Sequence, residues 1–229
     1  NLYQSDSNVG DYIVLDGTLW DSREGVSLSW NQVLASDAPT LAGRVTPERL
    51  TACMGMLLPD IACRLFPELP AGEAWRIMER CCQAENRYLA RHGGILYPGV
   101  AKGVPALAER YPLFIVSNCQ DGYIESFFAA HGLGCYFRDW ECPGRTGRPK
   151  ADNIRAVAER NGLERPIYIG DTLGDRQAAT AAEIPFIHAA YGFGTVEGTP
   201  SIHSFERLPF LLDLMAKQHP TDLSRPTRT

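Results

Sequence analysis

Short apolar runs that alternate with helical patterns are the feature that most restricts the fold of this chain. Three such runs, at residues 113–116, 167–169 and 185–188, contain almost no polar residue. Strands of this kind are buried on both faces, whereas a strand with one face in water alternates apolar and polar residues. The runs therefore predict the central strands of a parallel sheet that helices cover on both sides.

The segments between these runs have the spacing of amphipathic helices. In residues 122–131, apolar side chains recur at positions i, i+3 and i+4, and Gly132 follows as a residue that ends helices. Residues 151–161 repeat this pattern and are followed by Gly162. Alternation of strands and helices predicts an α/β fold, built on a doubly wound, Rossmann-like parallel sheet.

The N-terminal part of the chain has a different pattern of apolar and polar residues. A β-branched and aromatic run at residues 12–14 predicts one strand, and Asp16 with Gly17 predicts a turn after it. From about residue 22 to residue 93 the pattern is helical, and residues 73–91 separate apolar from charged side chains. The sequence thus predicts a separate helical unit after the first strand.

Composition and charge exclude several classes of protein. The 229 residues are 45% hydrophobic and 21% charged with a net charge of -5, so neither disorder nor a nucleic-acid partner is expected. No run approaches the roughly 18 apolar residues of a membrane span, and no secretion signal is evident, so no membrane partner is expected. The 7 cysteines, an odd number without a CxxC pair, are typical of reduced thiols in the cytoplasm.

Polar residues stand at the predicted ends of the strands and at one helix start. They are Asp16 and Thr18, Ser117 and Asn118, Lys150, and Asp171 with Asp175. Because the carboxyl ends of parallel strands open into one crevice, we expect these side chains to form one site.

The residue types at this site suit phosphoryl transfer. Asp171 and Asp175 are hard carboxylates of the kind that hold Mg²⁺. Lys150 and Ser117 would contact phosphoryl oxygens, and Asp16 would act as general acid and base if its pKa is raised. Each short motif alone is more often a turn, a helix cap or a surface loop. Their joint occurrence at strand ends favours the functional interpretation.

The same residues resemble the four motifs of the haloacid dehalogenase superfamily, in its phosphoglycolate phosphatase-like branch. The matching segments are LDGTLWDS at 15–22, IVSN at 115–118, Lys150, and GDTLGD at 170–175. The resemblance covers nearly everything from residue 11 to about residue 212, and it implies a helical cap inserted after the first motif. The expected division is a tag remnant or leader at 1–10, an α/β core at 11–22 and 96–217, a cap at 23–95, and a tail at 218–229.

The resemblance also implies a role for each residue. The catalytic residues would be Asp16, Ser117 and Lys150. The substrate would be bound by Thr18, Ser117, Asn118, Lys150 and, on a cap loop, Gly55. The Mg²⁺ ligands would be Asp16, Asp171 and Asp175. The implied activity is Mg²⁺-dependent hydrolysis of a small phosphorylated metabolite through an aspartyl-phosphate, by a monomer or a homodimer.

Two positions depart from the family pattern. The family places its nucleophilic Asp two residues before the equivalent of Asp16, where this sequence has Val14, whose side chain cannot attack phosphorus. The lesser departure is Glu183, where the family usually has Gly.

Two interpretations of Val14 stay open. In the first, an Asp is missing from the sequence between Val14 and Leu15. We favour it because the first residues, NLYQS, resemble a protease tag that has lost its Phe. In the second, the chain lacks the nucleophile and is a phosphate-ligand binding protein without turnover. A sugar-phosphate mutase of the same fold is a further alternative.

Overall fold

The computed structural model describes residues 10–13 and 17–218 of the chain. Residues 1–9 of the predicted tag remnant or leader, most of the predicted tail, and the site residue Asp16 lie outside the described residues, as do Val14 and Leu15, whereas Gly10 is the first residue of a strand. The strands are β1 (Gly10–Ile13), β2 (Trp20–Asp21), β3 (Ile95–Leu96), β4 (Leu113–Val116), β5 (Phe137–Glu141), β6 (Pro166–Gly170), β7 (Phe186–Ala189) and β8 (Ser201–Ile202). The helices are α1 (Arg23–Asp37), α2 (Pro47–Thr51), α3 (Leu58–Leu65), α4 (Ala71–His92), α5 (Val100–Ala108), α6 (Tyr123–His131), α7 (Pro143–Thr146), α8 (Lys150–Arg160), α9 (Leu173–Ala181) and α10 (Leu208–Gln218).

Six of these strands form one parallel sheet, in the order β5-β4-β1-β6-β7-β8. Strand β1 lies in the middle and pairs with β4 on one side and β6 on the other, so that Asp11 is opposite both Leu113 and Ile167. The carboxyl ends of β4, β1 and β6 are therefore neighbours. The predicted doubly wound α/β fold is confirmed, and this arrangement is what brings the predicted site residues to one edge.

Strand β4 shows why near-continuous apolar runs predicted this sheet. Leu113 and Ile115 belong to the large core cluster on one face, whereas Phe114 and Val116 belong to a second cluster on the other. All four side chains are buried, because helices cover both faces of the sheet.

A helical unit, the cap, lies between β2 and β3 and consists of α1 to α4. Helix α1 packs along α4, and inside the cap the Trp30 Nε1 donates a hydrogen bond of 2.5 Å to the buried Glu85 carboxylate. Strands β2 and β3 form an antiparallel ribbon at the two chain crossings between cap and core. In this ribbon Trp20 is fully buried, with its ring 5.1 Å from that of Phe127. The predicted helical insertion is thus present, while its limits at residues 23 and 95 stay a prediction.

Strand β5 is the main element that the sequence pattern does not predict. Its residues, Phe-Arg-Asp-Trp-Glu, carry charges that are unusual for a buried parallel strand. The two carboxylates are paired at the sheet edge: the Arg160 guanidinium donates two hydrogen bonds to Asp139, of 2.6 and 2.8 Å, and a third of 2.8 Å to Glu141. The predicted strand at 185–188 is confirmed with a shift of one residue, as β7.

None of the described helices is both long enough and apolar enough to cross a membrane.

The pairing of Glu141 makes stability depend on pH. Burial alone would raise the pKa of Glu141, but hydrogen bonds from Arg145 and Arg160 outweigh burial and lower the pKa below its ordinary value of 4.5. The stabilisation is therefore fully present above about pH 4.5 and is lost as the pH falls through the lower folded-state pKa. We expect Glu141→Gln to reduce the free energy of unfolding by about 2 kcal/mol at pH 7. Urea denaturation from pH 7 down to pH 3 should show this difference shrinking.

The control for Glu141 is Asp152→Asn, because Asp152 forms an ion pair with Arg155 in which both side chains are 44% exposed. An exposed pair of this kind contributes less than about 1 kcal/mol. A Glu141→Gln effect no larger than that of the control would contradict the argument.

Glu183 adopts a backbone conformation that side chains disfavour. It follows α9 with φ 59°, and the bonds from Glu183 N to Thr180 O and from Ile184 N to Ala179 O form a Schellman motif. Such a position favours Gly. We expect Glu183→Gly to raise the free energy of unfolding by roughly 0.5–1 kcal/mol. Glu159→Gly, inside α8, should lower it by a similar amount; a loss of stability in Glu183→Gly would refute the inference.

Candidate active site

The Asp175 carboxylate organises the end of β6. It is 2% exposed and lies in the first turn of α9. Its Oδ2 accepts hydrogen bonds of 3.1 Å from the backbone N-H groups of Asp171 and Thr172, and its Oδ1 accepts one of 2.5 Å from the Lys150 ammonium. The Asp175 backbone N-H in turn donates a hydrogen bond of 3.2 Å to Thr172 Oγ1, which completes a capping box.

Burial and charge act in opposite directions on this carboxylate. Burial alone would raise the pKa of Asp175, but the Lys150 ammonium and the Thr172 hydrogen bonds outweigh burial and lower the pKa. Asp175 is therefore ionised when Lys150 is charged. Because both of its oxygens already accept hydrogen bonds, the geometry favours a positioning role over metal binding; the role as a Mg²⁺ ligand stays a prediction.

The Asp171 carboxylate lies beside the loop that follows β1. It is 2% exposed, and its Oδ2 accepts a hydrogen bond of 2.7 Å from the Phe193 backbone N-H. Glycines at two positions permit this packing: a Cβ on Gly17 would lie 2.1 Å from Asp171 Oδ2, and a Cβ on Gly192 would lie 2.4 Å from Asp171 Cβ. Any side chain at Gly17 would thus fill the space beside the carboxylate, where φ 71° also favours glycine.

Thr18 follows Gly17 in the loop that lies beside Asp171. Its side chain is fully buried, and Oγ1 has no hydrogen-bond partner within the described part of the chain. The loop around it is fixed, because the Tyr191 hydroxyl donates a hydrogen bond of 2.7 Å to the Thr18 carbonyl. A buried donor without a partner is costly, and a bound phosphoryl oxygen would satisfy it.

Ser117 and Asn118 follow β4, where Ser117 is 2% exposed. The Asn118 side-chain amide donates a hydrogen bond of 3.0 Å to the Gly55 carbonyl, which links the core to the cap loop. Gly55 has φ 80°, and a Cβ there would lie 3.1 Å from Thr172 Oγ1. The cap loop thus lies next to the ends of β4 and β6, and the substrate-binding role of Gly55 stays a prediction.

The structure therefore brings most of the predicted residues together. They are Thr18, Gly55, Ser117, Asn118, Lys150, Asp171 and Asp175, all at the carboxyl edge of the sheet or directly above it. Asp16, the predicted acid and base, lies outside the described residues. The binding and catalytic roles of the whole set stay predictions.

Mg²⁺ fits the donor chemistry of this site. Mg²⁺ is commonly held by one or two carboxylates together with waters and substrate phosphate oxygens. The described residues include no group of three His, Cys, Asp or Glu side chains able to hold a metal. They do supply the buried Asp171 carboxylate, with glycines on two sides of it. Asp171 and the predicted Asp16 would be the protein ligands.

Two residues near the site were not assigned a role from sequence. Phe193 holds Asp171 through its backbone, and the Arg23 guanidinium lies 4.6 Å from the Phe193 ring centroid. Arg23 also donates a hydrogen bond of 2.6 Å to the Thr51 hydroxyl of the cap and is paired with Asp21. Sequence reasoning could not place Arg23 at the site, because Thr51 and Phe193, which bring it there, are distant in the chain.

A parallel sheet with acidic, hydroxyl and lysine side chains at one edge, beneath a helical cap, defines a phosphoryl-transfer type of α/β protein. The family model of haloacid dehalogenase-like hydrolases matches residues 15–189. The chain belongs to this family. The predicted resemblance is thereby confirmed.

Curated relatives and solved structures agree with this assignment. Phosphoglycolate phosphatase of Escherichia coli (strain K12) is 27% identical over 206 residues, covering 78% of this chain and 80% of the relative. The Salmonella typhimurium phosphoglycolate phosphatase is 26% identical over 206 residues, which again cover 78% of this chain and 80% of the relative. The prediction of an enzyme of the phosphoric monoester hydrolase class is confirmed at this level.

Structural neighbours show the same fold. A haloacid dehalogenase-like hydrolase from Bacteroides fragilis superposes with a TM-score of 0.75 at 21% identity, covering 89% of this chain and 100% of the neighbour. A predicted phosphoglycolate phosphatase from Haemophilus somnus gives a TM-score of 0.74 at 17% identity, with coverages of 90% and 99%. Both likenesses concern the fold alone.

The contributions of Lys150 and Asp175 to the free energy of unfolding should depend on each other, because the two side chains form one buried ion pair. We expect Lys150→Met to reduce the free energy of unfolding by about 3–5 kcal/mol, because it leaves a buried carboxylate without its cation. The double variant Lys150→Met with Asp175→Asn should recover part of this loss, since no buried charge is left unpaired. Urea denaturation of the four proteins measures the coupling. Strictly additive effects would contradict the inference.

Proposed function

We propose that this chain hydrolyses small phosphomonoesters with the help of Mg²⁺. The observation that carries the proposal is the convergence of a buried ammonium (Lys150), a buried carboxylate (Asp171) and a buried hydroxyl without a partner in the described chain (Thr18). Donors of this kind suit phosphoryl oxygens, and a hard carboxylate suits Mg²⁺. The phosphoglycolate phosphatases among the relatives support the same reaction class.

The residues of the chain have distinct tasks in this proposal. Thr18 and Ser117 donate hydrogen bonds to phosphoryl oxygens, and Lys150 neutralises their charge. Asp175 keeps Lys150 and the Asp171 backbone in place through the bonds described above. When bound, Mg²⁺ would add a further positive charge at the phosphoryl group. The cap loop excludes water from the region below it while the substrate is bound.

The aspartyl-phosphate route adds a covalent step. In it, a carboxylate oxygen forms a bond to phosphorus as the bond to the leaving oxygen breaks, and Asp16 gives that oxygen a proton. Asp16 then takes a proton from the water that cleaves the aspartyl-phosphate. This route requires the nucleophilic Asp that we expect between Val14 and Leu15.

Val14 favours a second candidate function. If the chain has no Asp at the nucleophile position, the same site would bind a phosphorylated ligand without turnover. In either case we propose a small phosphorylated metabolite as the partner, and a monomer or homodimer in the cytoplasm. The net charge of -5 supports the absence of a nucleic-acid partner.

The direct test is hydrolysis of p-nitrophenyl phosphate with Mg²⁺ and after its removal with EDTA. We expect activity only with Mg²⁺, and we expect Asp171→Asn to lower kcat/KM on the order of a hundredfold or more, because it removes a charged metal ligand. Asp152→Asn, an exposed carboxylate on α8, is the matched control and should retain full activity.

Two outcomes separate the candidate functions. Mass spectrometry of the peptide around Val14 shows whether it carries the additional mass of an Asp residue. Hydrolysis together with that mass supports the covalent route. The binding protein would be established instead by two results together. The peptide would have the mass expected without an additional Asp, and the protein would bind Mg²⁺ and a phosphate mimic without hydrolysing any substrate.

A further inference from the structure

A cleft of about 480 Å³ separates the cap from the core beside Asn118. Its cap wall includes Leu57 and Leu58 at the start of α3 and Trp75 on α4; its core wall includes Asn118, Arg148 and Pro149. Leu57 is 39% exposed at this cleft, so part of its apolar surface is available to a ligand. We call this space the leaving-group cleft.

The leaving-group cleft adjoins the proposed phosphate site at Asn118, which lines the cleft and is one of the predicted substrate-binding residues. Asn118 follows Ser117 directly, and Pro149 precedes Lys150. A leaving group is joined to the reacting phosphorus through one oxygen, so its organic part must occupy space that opens from these residues. A second cavity at Asn118 has a volume of only about 60 Å³. Two other cavities, of about 270 and 540 Å³, are lined by none of the predicted site residues.

The walls of the cleft determine which leaving group is favoured. Most of the lining side chains are apolar, no described lining residue is a carboxylate, and Arg148 is the one charged residue among them. Apolar walls favour a leaving group that has apolar surface of its own. The absence of a carboxylate from this lining disfavours amino alcohols. Glycolate, a two-carbon hydroxy acid, has too little apolar surface to fill this space.

We infer that this chain prefers phosphomonoesters of apolar alcohols that are larger than glycolate, with Trp75 and Leu57 as specificity-determining residues. This inference rests on the proposed phosphatase function. It names the chemical class of the leaving group, which the residues that contact the phosphoryl group do not determine.

The test is a series of linear alkyl phosphates, from methyl through ethyl and butyl to hexyl phosphate, with 2-phosphoglycolate for comparison. The alcohols of such a series differ little in leaving-group pKa, so that differences in kcat/KM report on binding of the alkyl chain. We expect kcat/KM to rise about three- to fourfold per methylene until the cleft is filled. Hexyl phosphate should be a better substrate than 2-phosphoglycolate.

Two variants locate the preference. Trp75→Ala and Leu57→Ala should each lower the ratio of kcat/KM for hexyl phosphate to that for methyl phosphate, by roughly three- to tenfold. This ratio does not depend on the fraction of folded enzyme, because that fraction affects both substrates equally. Leu28→Ala is the matched control, since Leu28 is 54% exposed on α1 and lies outside the leaving-group cleft. Its ratio should equal that of the wild type.

The outcomes distinguish this inference from the proposed function. A flat alkyl series, or 2-phosphoglycolate as the better substrate, would overturn the inference even if p-nitrophenyl phosphate is hydrolysed. An unchanged ratio in both Trp75→Ala and Leu57→Ala would also overturn it. If no phosphomonoester at all is hydrolysed in the presence of Mg²⁺, the proposed function itself fails.

Discussion

The hydrogen bonds of one buried carboxylate hold the candidate site together. Asp175 binds the Lys150 ammonium with one oxygen and two backbone N-H groups at the end of β6 with the other. These contacts fix the start of α8 relative to the end of β6. A buried carboxylate is stable as an ion only when a cation and several N-H groups surround it. The ionised state of Asp175 therefore depends on all of these hydrogen-bond donors being present.

The cap is joined to the core by apolar packing of α4 against α6, within one buried cluster that includes residues of both, and by polar contacts at two loops. The Asn118 amide reaches the Gly55 carbonyl, and Arg23 connects Asp21 at the ribbon to Thr51 in α2. The cap is therefore anchored to the core at α6, and its Gly55 loop meets the predicted phosphate site at Asn118.

The sequence predicted the central strands well and the edge strand poorly, for one physical reason. Leu113 to Val116 is buried on both faces and reads as an apolar run, whereas Asp139 and Glu141 in β5 are accommodated by Arg160, about twenty residues later in the chain. Local patterns do not show such a partner. The same limit applies to Asp175: its position after β6 was predictable, but its bonds to Lys150 and to the backbone become visible only in three dimensions.

The leaving-group cleft illustrates this limit at the level of function. Trp75 lies inside a helix where an apolar residue ordinarily indicates core packing, and Pro149 precedes Lys150 by a single position. Only the folding of the cap over the sheet places these two residues on opposite walls of one space. The reactive residues of this chain follow predicted strands, so the sequence motifs identify them in order along the chain. The selection of an alcohol depends instead on which segments, distant in sequence, the cap brings together. Similarity to phosphoglycolate phosphatases at 27% identity therefore bears on the reaction more than on the substrate.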